Sequence, residues 1–236
     1  MSLGEKATCN LKMGLKAGGA PRMWKRIIRH SIPHIKQLVL PGSQILEVGY
    51  GDGLLSCYLV QKLGWYLTGF DISPEAHETA IKNAKRFGLE DRAEFRFCSP
   101  EETWQHCGRY DAVFIKTVLY SSPNLAEYGR RLDWIISVLR PGGVLINFET
   151  GRANYLVNIY RRIRRREYTN LCLYTSEVEA LYNARFDIVF RRYYGGWSQF
   201  AAPIKGVYNF MVLLEESFRP RGPDNCFAVS IIAKKR

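Results

Sequence analysis

The stretch ILEVGYGDG, residues 45–53, places an acid, Glu47, at the end of an apolar β-like run and then removes every second side chain. The residues without side chains are Gly49, Gly51 and Gly53. Glycine allows positive φ and lets a ligand approach where a Cβ would collide. A helical pattern follows at 54–63, and the free N–H groups of a helix N-terminus suit a carboxylate or phosphate. The stretch therefore predicts a ligand-binding turn between a strand and a helix.

Residues 41–150 alternate short β-rich runs with helical patterns, which is typical of a parallel sheet with crossover helices. Strands are predicted at 44–48, 65–70, 93–97, 111–115, 143–149, 186–194 and 227–235. Helices are predicted at 54–63, 74–87 and about 125–139, the second of them with Ser73 as N-cap and Gly88 past its end. The pattern predicts an α/β fold, a doubly wound sandwich.

A second acid, Asp71, ends the second predicted strand, within GFDIS. In such sheets ligands bind beyond the carboxyl ends of the strands, where the strand order reverses. A carboxylate there can accept both hydroxyls of a ribose, at about 1.5–3 kcal/mol for each hydrogen bond. The glycine spacing is G-x-G-x-G, and Leu54 stands where a dinucleotide fingerprint would have its third glycine. Because Glu47 would repel a diphosphate, the residues favour a ribose ligand with an ammonium, a carboxylate and no phosphate.

These residues resemble the class I S-adenosylmethionine-dependent methyltransferases, of the small-molecule type (methyltransferase type 11/12-like). The matching motifs are ILEVGYGDG (45–53), GFDIS (69–73), YDAVFIKTVLY (110–120) and LRPGGVLINFE (139–149). They stand in the family's order and spacing and cover about residues 40–150. The resemblance implies S-adenosylmethionine as cofactor. It also implies a Rossmann-like seven-stranded sheet, mostly parallel with an antiparallel last strand, and helices on both faces.

The resemblance assigns cofactor-binding roles to individual residues. They are Glu47, Gly49, Tyr50, Gly51, Gly53, Asp71, Ile72, Ser99 and Lys116. The glycine turn and Tyr50 would wrap the amino-acid end of the cofactor, and Glu47 would support that turn. Asp71 would hold the ribose, and Ile72 would pack on the adenine. Lys116 would lie at the mouth of the site, with Thr117 and Tyr120.

One position departs from the family pattern. Many relatives carry an Asp after strand three that binds the adenine amino group, whereas this chain has Ser99. Ser99 can accept a hydrogen bond, a backbone group can replace it, or it is a simple loop residue. Plainer alternatives also stand for the other residues. The glycines can form only a tight turn, Glu47 can be a buried acid bonded to backbone amides, and Asp71 can be a helix-capping acid.

The segment KTVLYSSPN, residues 116–124, bears on the methyl acceptor. It lacks the N/D-P-P-Y/F motif that base-modifying and protein-amide N-methyltransferases often carry after strand four. With the helix and LRPGG that follow, it is more similar to small-molecule methyltransferases. Tyr120 either touches the substrate or only packs. A general base is needed only if the acceptor must lose a proton, so no catalytic residue is assigned.

The flanks of the central segment are basic. The net charge of +12 divides into +7 for residues 1–40, −3 for 41–150 and +8 for 151–236. Residues 1–40 are predicted to be an N-terminal helical cap, with a helix at 23–38 interrupted by Pro33. The resemblance implies that residues 41–236 form the S-adenosylmethionine-binding domain, with substrate-side insertions at about 151–175 and 195–225.

Each insertion has a distinct pattern. The first contains a basic amphipathic helix, 153–168, which can contact anionic lipid, nucleic acid or an acidic substrate, or can simply be solvated at its basic end. The second, rich in aromatic residues, is interpreted as a lid or pocket wall, with a dimer interface or plain core as alternatives. The six cysteines form no zinc-type pattern, and His30 and His34 have no further ligands nearby, so no metal is predicted.

No secretory h-region and no run of ~18 apolar residues is present, which predicts a cytoplasmic protein without a transmembrane segment. The leading hypothesis is transfer of a methyl group by in-line displacement to a small or amphipathic molecule. An RNA or tRNA methyltransferase is the alternative from the basic flanks, although no RNP1 or GXXG motif accompanies them. A non-catalytic methyltransferase-like partner subunit is a further alternative. A nicotinamide-dependent oxidoreductase conflicts with the glycine spacing.

Overall fold

A computed structural model of the chain describes residues 21–98, 109–151, 172–195, 198, 205–218 and 220–236. Its helices are α1 (Pro21–Leu38), α2 (Leu54–Leu63), α3 (Pro74–Phe87), α4 (Leu125–Val138), α5 (Ser176–Arg185) and α6 (Lys205–Ser217). Its strands are β1 (Gln44–Val48), β2 (Tyr66–Asp71), β3 (Ala93–Phe97), β4 (Tyr110–Lys116), β5 (Leu139–Thr150), β6 (Phe186–Tyr194) and β7 (Ala228–Lys235). Short 3-10 turns lie at Leu119–Ser121 and Pro223–Asn225.

The strands form one seven-stranded sheet in the order β3-β2-β1-β4-β5-β7-β6. Strands β1 to β5 pair in parallel, and β7 is antiparallel to both of its neighbours. β6 therefore runs in the same direction as β1 to β5. The strand order reverses between β1 and β4, where a crevice opens beyond the carboxyl ends. The prediction of a mostly parallel seven-stranded sheet with an antiparallel last strand is confirmed.

Helices cover both faces of the sheet, as predicted. Val113 and Phe114 are neighbours in β4 with opposite directions, because side chains alternate along a strand. Val113 packs in a cluster with Leu132 of α4 and residues of α5. Phe114 packs in a second cluster with Ile27 of α1 and residues of α2. Adjacent buried residues thus hold helices on opposite sides of the sheet.

The predicted caps of α3 are confirmed. The Ser73 hydroxyl accepts a hydrogen bond from the Ala76 N–H, and Gly88 ends α3 in the left-handed conformation. The predicted break at Pro33 is wrong, because α1 continues through this residue. Pro33 and Arg29 both lie on the exposed side of the helix. Water can therefore bind the Arg29 carbonyl that a proline at i+4 leaves without a donor.

Helix α1 packs on the sheet over most of its length. Met23, Ile27 and Ile35 are at most 1% exposed and belong to the same core cluster as buried residues of β5 and β7. This end-to-end burial makes α1 one of the layers that cover the sheet. The role of residues 1–40 as a cap over a cofactor stays a prediction, since residues 1–20 lie outside the described part of the chain.

Glu149, near the end of β5, is a fully buried carboxyl group beneath the turn that follows β4. Its Oε1 accepts a hydrogen bond from the Thr150 N–H at 2.9 Å, and the backbone amides of Leu119 and Tyr120 face the same carboxylate. Burial raises the pKa of Glu149 to about 8, although these amides and the Lys116 ammonium partly offset the effect. The carboxyl group thus fixes the turn at Leu119–Ser121 against the sheet.

The free energy of unfolding should fall as pH rises from about 5 to about 8, because the folded chain then retains on Glu149 a proton that the unfolded chain has lost. Glu149→Gln removes this titration and should flatten the pH dependence by roughly 1–3 kcal/mol between about pH 5.5 and 8.5 in urea unfolding. Glu78→Gln, at a 72% exposed carboxylate on α3, is the matched control and should keep the wild-type slope. A wild-type slope in Glu149→Gln would contradict this assignment.

Candidate functional site

A cleft of about 330 Å³ opens beyond the carboxyl ends of β1 and β2. Its walls come from the strand ends, the turn after β4 and one face of α4. The residues are Val48, Gly49, Phe70, Asp71, Ile72, Val118, Leu119, Ser121, Glu127, Arg130, Arg131 and Trp134. Three of the nine predicted cofactor-binding residues, Gly49, Asp71 and Ile72, therefore line one cleft at the reversal of strand order.

The three glycines of the turn have φ values of 73°, 56° and 67°, which favour glycine at each position. Their surroundings differ. A Cβ on Gly49 would lie 2.4 Å from Val118 Cγ2, and one on Gly53 would lie 2.8 Å from Ala80 Cβ. A Cβ on Gly51 would meet no heavy atom of the described chain within 4 Å. Gly49 and Gly53 thus allow close packing, whereas Gly51 faces open space.

Asp71 holds this turn in place. Its Oδ2 accepts a hydrogen bond from the Gly51 N–H at 2.8 Å, and its Oδ1 accepts one from the Ser73 N–H at 3.0 Å. Each carboxylate oxygen has two acceptor sites, so both retain capacity for hydroxyl donors. The capping and ligand-binding interpretations of Asp71 are therefore compatible, since the same carboxylate serves the backbone and borders the cleft.

Ile72 follows Asp71 and is 71% exposed. It lies on the cleft wall with Phe70, while Val118 and Leu119 lie on the wall formed by the turn after β4. These apolar surfaces suit a flat heteroaromatic ring, and the carboxylate of Asp71 borders the same space.

Tyr50 has a different orientation from the rest of the turn. Its hydroxyl lies 3.0 Å from His77 Nδ1 and donates to the Arg96 carbonyl at 3.1 Å. Its ring packs at 4.7 Å from the Phe95 ring, and a Cβ on Gly69 would lie 2.7 Å from Tyr50 Cδ1. The side chain is 5% exposed and does not line the cleft. Only the backbone of Tyr50 is positioned to face a ligand in the turn.

Glu47 is a buried acid at the end of β1, 3% exposed, and its Oε2 has no hydrogen-bond partner within the described part of the chain. Burial raises the pKa of Glu47 to about 7, and the Ser56 side chain and the Lys116 ammonium partly offset this effect. Backbone amides therefore do not satisfy this oxygen. A buried carboxyl oxygen without a donor is expensive unless a ligand or water supplies one.

Lys116 ends β4 on the side of the sheet that carries Glu47. Its ammonium lies 5.2 Å from the centre of the Trp24 ring, which belongs to α1. Burial lowers the pKa of Lys116, while the carboxylates of Glu47, Asp52 and Glu149 oppose that effect. The structure thus brings one cation and several acids to the strand ends behind the glycine turn.

Some predicted site residues lie outside the described part of the chain, and one wall of the cleft was not predicted. Ser99 and the basic helix 153–168 lie outside the described residues, so their roles stay predictions. In contrast, the sequence interpretation missed the contribution of α4. Arg131 bonds to Glu127 Oε1 and to Ser121 Oγ, each at 3.1 Å, on the cleft wall. The sequence pattern that could have indicated this wall is the Glu-x-x-x-Arg spacing in the first two turns of α4, because residues four apart on a helix can form an ion pair.

Within the ranges that the structure describes, no three His, Cys, Asp or Glu side chains are grouped so that they could hold a metal ion. Among the described helices, none has the length and apolar character needed to cross a membrane.

Comparisons with known proteins agree with this architecture. The family described as Methyltransferase domain matches residues 45–143. A ubiquinone biosynthesis O-methyltransferase of Psychrobacter cryohalolentis is 29% identical over 111 residues, which are 47% of this chain and 42% of that protein. The chain thus spans less than half the length of this curated relative.

Two solved structures share the fold at low identity. A putative sarcosine dimethylglycine methyltransferase from Galdieria sulphuraria has a TM-score of 0.64 and 15% identity, covering 91% of this chain and 85% of that one. The [4+2]-cyclase SpnF has a TM-score of 0.59 and 20% identity, covering 86% and 79%.

The matched residues, 45–143, contain the glycine turn, Asp71 and the turn after β4 that together form the cleft. The strand order and the matched family lead to the same assignment. Over residues 45–143 the chain is similar to the methyltransferase-domain family, which agrees with the sequence resemblance to the class I S-adenosylmethionine-dependent methyltransferases.

Proposed function

We propose that the chain transfers the methyl group of S-adenosylmethionine to a small or amphipathic molecule. One observation supports this proposal above the others: the Asp71 carboxylate bonds the Gly51 N–H while it borders the cleft. Ribose recognition and the shape of the glycine turn thereby depend on one side chain. The cyclase among the structural relatives illustrates why the fold alone does not define an activity.

The described residues fit this cofactor on three counts. The space beside Gly51 is open to a ligand, and both Asp71 oxygens retain acceptor capacity. The exposed Ile72 side chain offers an apolar surface to an adenine ring. The unpartnered Oε2 of Glu47 matches a donor such as an ammonium, and a diphosphate would meet repulsion there once this carboxyl is ionised.

S-adenosylmethionine supplies an activated methyl group on a sulfonium when it is bound. The chain's own contribution is then alignment. Asp71 would hold the ribose and Ile72 the adenine, while the glycine turn would contact the amino-acid end. Holding reacting atoms near the attack geometry can contribute about 7–11 kcal/mol to the lowering of the barrier.

Lys116 and Glu47 would serve the amino-acid end of the cofactor. The Lys116 ammonium would attract the carboxylate, and the Glu47 carboxyl would accept from the ammonium or support the turn. Burial raises the pKa of Glu47 and lowers the pKa of Lys116. A bound ligand would then bring its ammonium to Glu47 and its carboxylate to Lys116, and each would favour the charged form of its partner. This arrangement favours a zwitterionic amino-acid tail.

An amphipathic hydroxyl compound is the acceptor class that we favour. The relative named a ubiquinone biosynthesis O-methyltransferase shares the cofactor half of the chain, and KTVLYSSPN lacks the motif of the base-modifying enzymes. An RNA acceptor, a role as a partner subunit, and anionic contacts of the basic helix 153–168 remain predictions from the sequence. A cytoplasmic location likewise remains a prediction.

Replacing Gly51 tests cofactor binding, with the same replacement at Gly88 as the control. Gly51→Ala and Gly88→Ala each put a Cβ at positive φ, 56° and 63°, and neither Cβ meets a heavy atom of the described chain within 4 Å. Each should cost about 1–2 kcal/mol of stability. We expect Gly51→Ala alone to weaken S-adenosylhomocysteine binding at least about ten-fold in calorimetry, since its Cβ would occupy the open space where the ligand is proposed to bind. Equal affinities in the two variants would contradict the proposed site.

The acceptor can be identified with methyl-labelled S-adenosylmethionine and a lysate freed of protein. We expect label in a small or amphipathic hydroxyl compound, detected by mass spectrometry, and several-fold less label with Gly51→Ala at the same subsaturating cofactor concentration. Label in RNA would overturn the acceptor class but not the activity. A chain that binds S-adenosylmethionine yet labels nothing in the metabolite, lipid and RNA fractions would contradict the proposed activity.

A further inference from the structure

The outer face of α6 is apolar and exposed. Val207, Phe210, Leu213 and Leu214 are 45%, 60%, 64% and 37% exposed, and Phe218, just past the helix, is 82% exposed. Their spacing follows the helical period, so they form one stripe, which we call the α6 stripe. Every exposed side chain that the structure describes on α6 is uncharged. Contiguous apolar surface of this kind marks an interaction site more often than isolated apolar residues do.

The two acids of α6 point towards the protein. Glu215 is buried and accepts hydrogen bonds from Arg26 at 2.7 Å and from the Ser198 N–H at 2.6 Å. Glu216 is paired with Arg192 of β6. These contacts neutralise the acids and fix the rotation of the helix. The apolar stripe is therefore held outward by a polar anchor on the opposite side.

The α6 stripe lies at the same edge of the sheet as the cofactor cleft. β6 runs parallel to β1–β5 and ends at Tyr194, and a Cβ on the next residue, Gly195, would lie 3.3 Å from the Glu215 side chain. Arg26, which anchors Glu215, is two residues from Trp24, whose ring lies under the Lys116 ammonium. The stripe is thus at the end of the sheet where β1–β6 have their carboxyl ends, as the cleft is, but beside the edge strand β6.

The net charge of the chain favours one kind of partner for the α6 stripe over another. Residues 151–236 contain 15 basic and 7 acidic residues, and the whole chain has a net charge of +12. Arg219 and Arg221 directly follow the stripe in the sequence. Two copies of a chain with this net charge would repel each other at long range, whereas an anionic bilayer would attract the chain. Exposed aromatic and aliphatic side chains beside basic residues are typical of segments that lie in a membrane interface.

We propose that α6 docks the chain on anionic phospholipid bilayers, with Phe210, Leu213 and Phe218 inserted at the level of the headgroups. The proposal concerns attachment to a surface and does not depend on methyl transfer. It differs from the predicted basic helix 153–168, because the contact is apolar and lies on another segment.

Co-sedimentation with vesicles tests the proposal. The full chain is mixed with vesicles of phosphatidylcholine alone or with about one-third phosphatidylglycerol. We expect binding to the anionic vesicles, and an about ten-fold weaker partition for the double variant Phe210→Ser and Leu213→Ser. The matched control, Leu40→Ser with Ile81→Ser, removes two apolar residues that are 65% and 48% exposed elsewhere and should bind as the wild type does.

Circular dichroism and S-adenosylhomocysteine affinity verify that both double variants fold, which separates a failed membrane contact from a failed cofactor site. Absence of binding to the anionic vesicles would overturn the proposal. So would equal binding by the α6 variant, which would leave only the basic segments as the attachment. A wild-type dimer in light scattering that the α6 variant dissociates would instead make a second copy the occupant.

Discussion

The hydrogen bond from the Gly51 N–H to the Asp71 carboxylate is the constraint on which the site depends. It joins the turn after β1 to the end of β2, and the second carboxylate oxygen binds the backbone at the start of α3. The turn must keep Gly51 at positive φ for its N–H to point this way, so the glycine and the acid are required together. Ribose hydroxyls would then meet a carboxylate that is already fixed, which lowers the ordering cost of binding.

Behind this turn, three ionisable side chains are buried near the carboxyl ends of the strands. Glu47, Lys116 and Glu149 end β1, β4 and β5, and burial shifts all three pKa values towards neutrality. Such groups reduce stability unless partners compensate, which is why perturbed carboxyls concentrate at functional sites. Both carboxyls have an Oε2 without a hydrogen-bond partner among the described residues, but Glu149 Oε1 accepts a hydrogen bond from the Thr150 N–H beneath the turn that lines the cleft. Glu149 therefore fixes that turn, whereas Glu47 lies behind the glycine turn, where a ligand would supply the missing donor.

Local signals in the sequence predicted the strands, the cap at Ser73 and the glycine turn, because positive φ and capping depend on a few adjacent residues. The directions of side chains and the positions of helices were harder to predict from the sequence. Tyr50 turns away from the cleft because His77 and the Arg96 carbonyl, distant in sequence, bind its hydroxyl. The α4 wall and the α6 stripe likewise depend on how helices dock, which periodicity alone does not specify. The acid of Glu149 was visible in the sequence, but its partners were not.

The most direct measurement is a crystal structure of the chain with S-adenosylhomocysteine. The account predicts both ribose hydroxyls within hydrogen-bond distance of the Asp71 carboxylate, with the Gly51 N–H contact retained. It also predicts the adenine on Ile72 and the amino-acid tail between the glycine turn and Lys116. A ligand bound elsewhere, or a ribose that leaves Asp71 without contact, would contradict the account.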